Sequence, residues 1–410
     1  MQSVRFPRSR AEAIACDAED PLAEARAHFN LPDDVTYLVG HSLGPPAMSA
    51  LEALRRVGEH DWATGLVGSW NAAGWIDLPT VVGARVARLI GVPPTAVSVC
   101  DSVSINLFKL AGALLSSGTV ARRIIVENGE FPTDQYILER LSTLQQADFV
   151  RADPGAGLDS LSGGGILVRS LVDYRTAAIA DVKAVEQAAQ RQGAVVIWDL
   201  SHATGIVDLR LEAWGARYAV GCSYKYLNGG PGAPAFLYVH PDHVDVLQTP
   251  LAGWLGHARP FAFEPTYDPA DGVSRFVAGT PPILSLATFN GALDVFDGLS
   301  LRHLHDKAQA LGDLCLAAFD RLGLETSSPP IGHPRGGHVT LRHPDGYAIS
   351  RALAEQGYQT DFRPRDTIRF GMSPLFLRYV DVWDMSEALE DILLTRAYED
   401  PRFAVKSKVT

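Results

Sequence analysis

A carboxylate and an imidazole, Asp199 and His202, follow the apolar run 194–198, and a lysine comes next within Ser223-Tyr224-Lys225, ahead of Asn228-Gly229-Gly230-Pro231-Gly232. Such a run, coming after a helical pattern over 181–192 and Gly193, reads as a strand buried on both faces of a parallel sheet. A carboxylate at its carboxyl end stands on the rim where doubly wound sheets bind ligands, and Lys225 falls one further strand–helix step along that rim. The pair suits pyridoxal phosphate. A lysine amine condenses with the aldehyde, and a carboxylate keeps the pyridine nitrogen protonated so that the ring takes up carbanion electrons. Taken separately, Lys225 reads as a solvated surface residue and Asp199 as a helix cap; only the combination carries the chemistry.

A second pattern points elsewhere. Gly40-His41-Ser42-Leu43-Gly44 matches the G-x-S-x-G nucleophile elbow and follows the largely apolar run 35–39, so Ser42 is a candidate serine-hydrolase nucleophile. An elbow needs a helix straight after the serine, in a sheet already several strands wide. Here Pro45 and Pro46 follow and one strand candidate precedes, which favours a glycine-rich turn. His303 and His305 are two apart on a predicted helix and face different sides, while His333, His338 and His343 lack a carboxylate or thiolate at ligand spacing, so no metal site is expected. Residues 229–232 lack both the G-x-G-x-x-G and the Walker spacing.

The elements that must position these residues follow from periodicity. From about residue 45 to residue 239, amphipathic stretches alternate with short apolar runs, the rhythm of strand–helix units around a mostly parallel sheet. Strands are expected at 97–100, 124–127, 149–152, 166–170 and 194–198. Ser102 is placed to cap a helix that runs through Leu115 and stops by Gly118. Beyond 298–301 the style changes: a long helix over 301–322, strands at 338–342 and 367–370, and a closing helix over 384–398. The expected fold class is α/β, with a large cofactor-binding domain over 46–295, a smaller α+β domain over 296–410, and an N-terminal segment, 1–45, packed with the small domain.

Composition narrows the class. The chain has 410 residues with 47 acids against 36 bases, a net charge of −11, which argues against a nucleic-acid partner. No apolar run approaches the ~18 residues of a membrane span, and residues 1–20 carry Arg5, Arg8 and Arg10 without the apolar core of a secretory leader. Cys16, Cys100, Cys222 and Cys315 form no C-x-x-C pair, so neither a disulfide framework nor a thiolate zinc site is suggested. A cytoplasmic protein is expected.

These motifs carry a resemblance across most of the chain. Residues 37–44, 70–75, Phe131-Pro132-Thr133-Asp134, 198–205, 253–282 and 368–374, and above all the block 214–239 around Gly221-Cys222-Ser223-Tyr224-Lys225-Tyr226-Leu227-Asn228-Gly229-Gly230-Pro231-Gly232, resemble the kynureninase family. That family belongs to the aminotransferase class V group, within the aspartate aminotransferase-like (type I) fold of pyridoxal phosphate enzymes. The resemblance implies that Lys225 binds the cofactor aldehyde and that Asp199 partners the pyridine nitrogen. It puts His202 near the phenolic oxygen, Phe131 on the ring face and Asp134 close by. Pro132, Thr133, Ser170 and Tyr224 complete the contacts, with Tyr224 also catalytic. Val103 and Ser104, at a helix amino terminus, are implied to hold the phosphate.

By the same resemblance Trp254 and Thr280 reach the phosphate region from the second subunit of a homodimer with shared active sites. Arg369 is the implied substrate arginine, although the residues alone favour a surface ion pair with a nearby acid such as Asp361 or Asp366. Trp70 is implied to face the substrate's aryl ketone, and His41, where the family usually has asparagine, to border the substrate carboxylate. The implied activity is hydrolysis of L-kynurenine, or its 3-hydroxy relative, to anthranilate or 3-hydroxyanthranilate and L-alanine, in tryptophan degradation and NAD biosynthesis. The alternatives are another class V enzyme, such as a cysteine desulfurase-like lyase using a cysteine nucleophile, and the serine hydrolase at Ser42.

Overall fold

The computed structural model describes residues 6–405, so the first five residues of the N-terminal segment and the last five of the C-terminal domain lie outside the described residues. Its strands, in chain order, are β1 (Thr36–Tyr37), β2 (Val97–Val99), β3 (Arg123–Glu127), β4 (Asp148–Ala152), β5 (Gly165–Ser170), β6 (Ala194–Asp199), β7 (Tyr218–Gly221), β8 (Phe236–Val239), β9 (His338–Arg342), β10 (Tyr358–Gln359), β11 (Asp361–Arg363) and β12 (Thr367–Gly371). Strands β2 to β8 form one sheet in the order β2-β8-β7-β6-β5-β3-β4, in which β8 runs antiparallel to both its neighbours and the other pairings are parallel. The residues of β6 are buried throughout apart from Val195, as expected for a strand covered on both faces. Ser170 pairs with Asp199 at the last rung of β5 and β6, which sets both at the carboxyl edge of the sheet.

The helix Val103–Ser117 begins as its capping residue requires. Ser102 Oγ accepts the N–H of Ile105 at 3.4 Å, and the helix closes at Gly118 in the left-handed region, φ 72°. It buries Leu107, Leu110 and Leu114 against Ile124, Val126 and Ile197 of the sheet.

A second, antiparallel sheet of order β11-β12-β9 lies beyond the helix Leu301–Leu322, whose start is capped by Ser300. The closing helix spans Tyr379–Thr395, earlier at both ends than the apolar stripe predicts. The reason is a cap supplied from far along the chain: Asp17 accepts the backbone N–H of Tyr379 at 2.6 Å and of Val380 at 3.0 Å, alongside the local contact of Arg378 N with Asp381. Of the apolar run 35–39, only Thr36 and Tyr37 form a strand, pairing in parallel with Tyr358 and Gln359. A buried pair, Lys307 Nζ to Asp20 Oδ2 at 2.6 Å, adds another tie between the first segment and the C-terminal elements. Among the described residues no helix is long and apolar enough to cross a membrane.

Candidate active site

At the carboxyl edge of the large sheet is a cavity of about 310 Å³ whose lining includes Asp199, Asp134, His202, Tyr224 and Lys225. Lys225 lies in the loop after β7. Ser223 Oγ donates to Pro234 O at 2.6 Å, Gly229 N donates to Ser223 O at 2.9 Å, and Asn228 turns the chain at φ 56°. The loop thereby holds Lys225 Nζ 3.0 Å from His202 Nε2. Asp199 Oδ1 accepts Ser201 N at 2.8 Å. Asp134, in the first turn of the helix Pro132–Gln145, is buried with its Oδ2 unpartnered. Burial pushes the Asp134 carboxyl well above the usual range, and Asp199 and Glu130 reinforce that, while Lys225 opposes it.

One end of the cavity is built for an anion. Val103 and Ser104 open a fifteen-residue helix, so their N–H groups have no acceptor within it and the helix dipole is positive there. Asp101 sits beside them at φ 50°, a negative charge on the wrong side. Lys109 offsets it: fully buried, it donates to Asp101 Oδ2 and to Phe276 O, both at 2.6 Å. Lys109 escaped the sequence reading because a lysine inside an apolar helix pattern looks like a face boundary.

The remaining positions divide. Phe131 is 42% exposed at the cavity and meets Tyr174 edge-on, centroids 5.3 Å apart. Thr133 lines the cavity, and Pro132 is the first residue of its helix. Ser170 also lines it, but its hydroxyl donates to Glu130 Oε2 at 2.6 Å and its N–H to the same oxygen at 3.0 Å. Burial raises the Glu130 carboxyl to about 7 against those two hydrogen bonds. Glu130 was missed because nothing in its spacing distinguishes it from a surface acid.

Arg369 is buried on β12. Its Nη1 donates to Tyr174 O at 2.9 Å, its Nη2 is bonded to Asp361, and its Nε is unpartnered. Of the two acids that could have claimed it, Asp366 pairs with Arg342 at 2.8 Å instead. His41, also fully buried, faces Asp361 with Nε2 at 3.3 Å and stacks on His338 at 5.3 Å. Burial, then the charge of Arg369, lowers His41 from 6.5 to about 4.

A histidine held neutral in the fold binds fewer protons than in the unfolded chain between those two values, so stability falls as pH drops from about 6.5 towards 4, by up to about 3 kcal/mol for His41 alone. His41→Asn is expected to flatten this part of the profile, measured by chemical denaturation at about pH 7 and about pH 5. An unchanged difference between the two pH values contradicts the buried neutral assignment.

The glycines of the 40–44 turn have their own explanation. Gly44 N donates to Tyr224 O at 2.8 Å, and a Cβ on Gly44 would collide with Lys225 O and with Asn228 Oδ1. The turn is docked against the lysine loop, and no helix begins until Met48, so Ser42 does not stand on a strand–helix elbow.

Comparison with known proteins decides the family. The Kynureninase C-terminal domain model matches residues 304–389. The kynureninases of Burkholderia mallei (strain ATCC 23344) and of Pseudomonas fluorescens are each 40% identical to this chain, over 98% of it and 100% of the relative. The chain belongs to the kynureninase family. Solved structures show the same fold at low identity. The cysteine desulfurase of Thermococcus onnurineus NA1 has TM-score 0.79 and 16% identity, covering 96% of this chain and 100% of that one. The subgroup IV aspartate aminotransferase of Thermus thermophilus has TM-score 0.65 and 17% identity, covering 87% and 99%. The fold is thus the aspartate aminotransferase-like one, with its mostly parallel sheet.

As a kynureninase-family enzyme, the chain uses pyridoxal phosphate. Its residues fit that group: an orphaned buried carboxylate oxygen on Asp134, a lysine beside it, and a helix amino terminus across the cavity. Six expected site residues do not line this cavity: Pro132, which is next to its rim residues Phe131 and Thr133, the buried Arg369 and His41, and Trp70, Thr280 and Trp254. Trp70 and Thr280 share a separate apolar cavity of about 210 Å³ with Trp62, Trp75 and Leu284, and Trp254 is 40% exposed, stacked on Phe263 with centroids 6.5 Å apart. Among the described residues no three histidine, cysteine or acidic side chains are grouped so as to hold a metal ion.

Proposed function

We propose that this chain hydrolyses L-kynurenine, or its 3-hydroxy relative, to anthranilate or 3-hydroxyanthranilate and L-alanine. The observation that carries this reading is the cavity joining Lys225, Asp199 and Asp134 to a helix amino terminus, in a chain 40% identical to kynureninases along nearly its whole length. Pyridoxal phosphate, held through its aldehyde by Lys225, supplies an electron sink for the carbanion at the substrate Cα. Asp199 would partner the pyridine nitrogen, Phe131 would pack on the ring, and the backbone N–H groups of Val103 and Ser104 would hold the phosphate.

Arg369 grips the substrate carboxylate, with His41 bordering it through Asp361. Lys225 moves the α-proton, and neutral His202 beside it accepts a hydrogen bond from the ammonium form. Burial holds the Tyr224 hydroxyl far above its ordinary value, so it stays protonated and acts as a donor where water adds to the γ-carbonyl. In this reading residues 46–295 bring the cofactor, while 1–45 and 296–410 bring the grip on the carboxylate. The cysteines do not favour a desulfurase. Cys100, Cys222 and Cys315 are buried, burial raises each thiol, and the half-buried Cys16 is raised by burial too.

The reading extends to a cytoplasmic homodimer acting in tryptophan degradation and NAD supply, with shared sites. Supporting the dimer, Trp254, Thr280 and Trp70 lie away from their own chain's Lys225 cavity, on surfaces rich in exposed aromatic rings such as Trp62 and Phe263. Lys225→Ala and Trp254→Asp are each expected to be impaired, the second through like-charge repulsion beside a phosphate. Subunit exchange between them should form hybrids with one intact site, each about half as active as a wild-type dimer. A mixture no better than Trp254→Asp alone contradicts shared sites, and lack of anthranilate and alanine from kynurenine in the wild type contradicts the reaction itself.

A further inference from the structure

Lys225 lies between two buried groups of opposite character. On one side are the carboxylates of Asp134 and Asp199. On the other, His202, His338 and His41 form a layer in which His202 and His338 have ring centroids 5.6 Å apart, and His338 and His41 lie 5.3 Å apart and 20° from parallel. None of the three is more than 7% exposed. The layer touches Lys225 at one end, through His202 Nε2 at 3.0 Å, and Asp361 at the other, through His41 Nε2 at 3.3 Å. Asp361 in turn holds Arg369.

His338 packs closest to each of the other two, which themselves lie 6.5 Å apart, and both of its ring nitrogens are buried without a hydrogen-bond partner, as are both of His41 and Nδ1 of His202. An imidazole left in that state is less stable than an apolar ring of the same size, so packing does not account for it. The surrounding backbone is shaped around the layer. His338 opens β9 opposite Gly371 of β12, and a Cβ on Gly371 would collide with His41 Nδ1. Gly337 O, the carbonyl before His338, accepts the Tyr226 hydroxyl at 2.5 Å, which ties the strand of His338 to the residue after Lys225.

We propose that His338 is a positioning residue for the reaction, linking the carboxylate grip at Arg369 to the proton-handling end at Lys225 through Asp361, His41 and His202. The proposal rests on the roles assigned above to Arg369 and Lys225. A carboxylate arriving at Arg369 competes with Asp361 for the guanidinium. Asp361 then turns more fully to His41, and because each neutral imidazole has one donor and one acceptor and the nitrogens between the rings are unpartnered here, a ring that rotates forms a hydrogen bond to the next. Burial is the main reason that all three rings stay neutral, with Lys225 next in effect for His202 and His41 for His338. Asp134, Asp199 and Tyr224 face the lysine end, and Arg363 and Tyr226 face the arginine end. Within that setting a negative charge added at Arg369 reaches the lysine end through the layer.

The test uses the holoenzyme and 3-benzoylpropionate, which has the carboxylate and aryl ketone of the substrate but no amine to react at Lys225. The visible absorption of the bound cofactor is titrated against pH with and without this compound, and its binding is measured separately by calorimetry. In the wild type, binding should raise the midpoint by about one pH unit. In His338→Phe the rise should fall below about a third of that, and in His338→Gln, which keeps a donor and an acceptor, most of it should remain. Bound ligand with no rise in the wild type, or the full rise in His338→Phe, overturns the link. Absence of binding in the wild type instead overturns the role of Arg369, and the link with it. Should His338→Phe fail to fold, His338→Met takes its place with the same expected outcome.

Discussion

Replacing Lys225 by alanine is expected to give folded protein that lacks the visible absorption of the bound cofactor and whose kcat is reduced at least about 10⁴-fold. The large effect comes from one amine with two duties: it forms the covalent link to the cofactor, and it moves the α-proton. Folding should survive, because what the loop needs from residue 225 is its backbone. Lys225 O accepts Asn228 N at 2.9 Å, and the hydrogen bonds of Tyr224 O and of the Tyr226 hydroxyl on either side do not involve the lysine side chain, whose ammonium adds only a contact 5.9 Å from the Tyr224 ring. Removing its charge also removes one of the influences that lower the His202 imidazole. Absorption and circular dichroism check both halves of the expectation. An undiminished visible band in Lys225→Ala would show that the cofactor is held elsewhere.

Arg369→Ala should leave that band in place while lowering kcat/KM for kynurenine by the equivalent of about 2 to 5 kcal/mol, since a buried carboxylate partner loses its guanidinium. The structure adds a cost in stability. Asp361 is 2% exposed; burial alone would raise its carboxyl, but His41, Arg369 and Arg363 together hold it below the usual range. A depressed carboxylate contributes stability above its unfolded value near 3.9, lost as pH falls through the folded value, so at neutral pH Arg369→Ala gives up much of that contribution. With Arg363 still 3.0 Å from Asp361, a loss of about 3 kcal/mol is expected. Adding Asp361→Asn should restore stability and leave kcat/KM low; Arg369→Lys should recover only part of kcat/KM. Loss of the cofactor with substrate affinity retained would make Arg369 a structural residue.

How legible the site was depends on whether each residue's role is local. Asp199 and Lys225 stand out as candidates, and line one cavity, because a strand end and the loop one step further along the sheet are local patterns, and the proposed chemistry needs those two residue types together. Ser102, Ser300 and Gly118 marked their helix ends because capping groups satisfy backbone atoms within one turn. The closing helix was misjudged at its start because its cap comes partly from Asp17, at the other end of the chain. The 40–44 glycines look like a nucleophile elbow because their actual constraints, Phe376 beside Gly40 and the carbonyl of Lys225 beside Gly44, are tertiary contacts that spacing does not encode.

By itself, the sequence determined the α/β class, five of the seven strands of the large sheet and the candidate lysine–aspartate pair, because period, capping and strand-end chemistry act over a few residues; β7 and β8 were not anticipated. Only the tertiary structure decided that Arg369 is paired with Asp361 and not Asp366, that Lys109 neutralises Asp101 beside the helix amino terminus at Val103, and that His41, His202 and His338 form one buried cluster. Those three histidines come from the 40–44 turn, the loop after β6 and the first residue of β9. Nothing in their sequence separations brings them together; the packing of the small sheet against the lysine loop does, and burial then sets their charge.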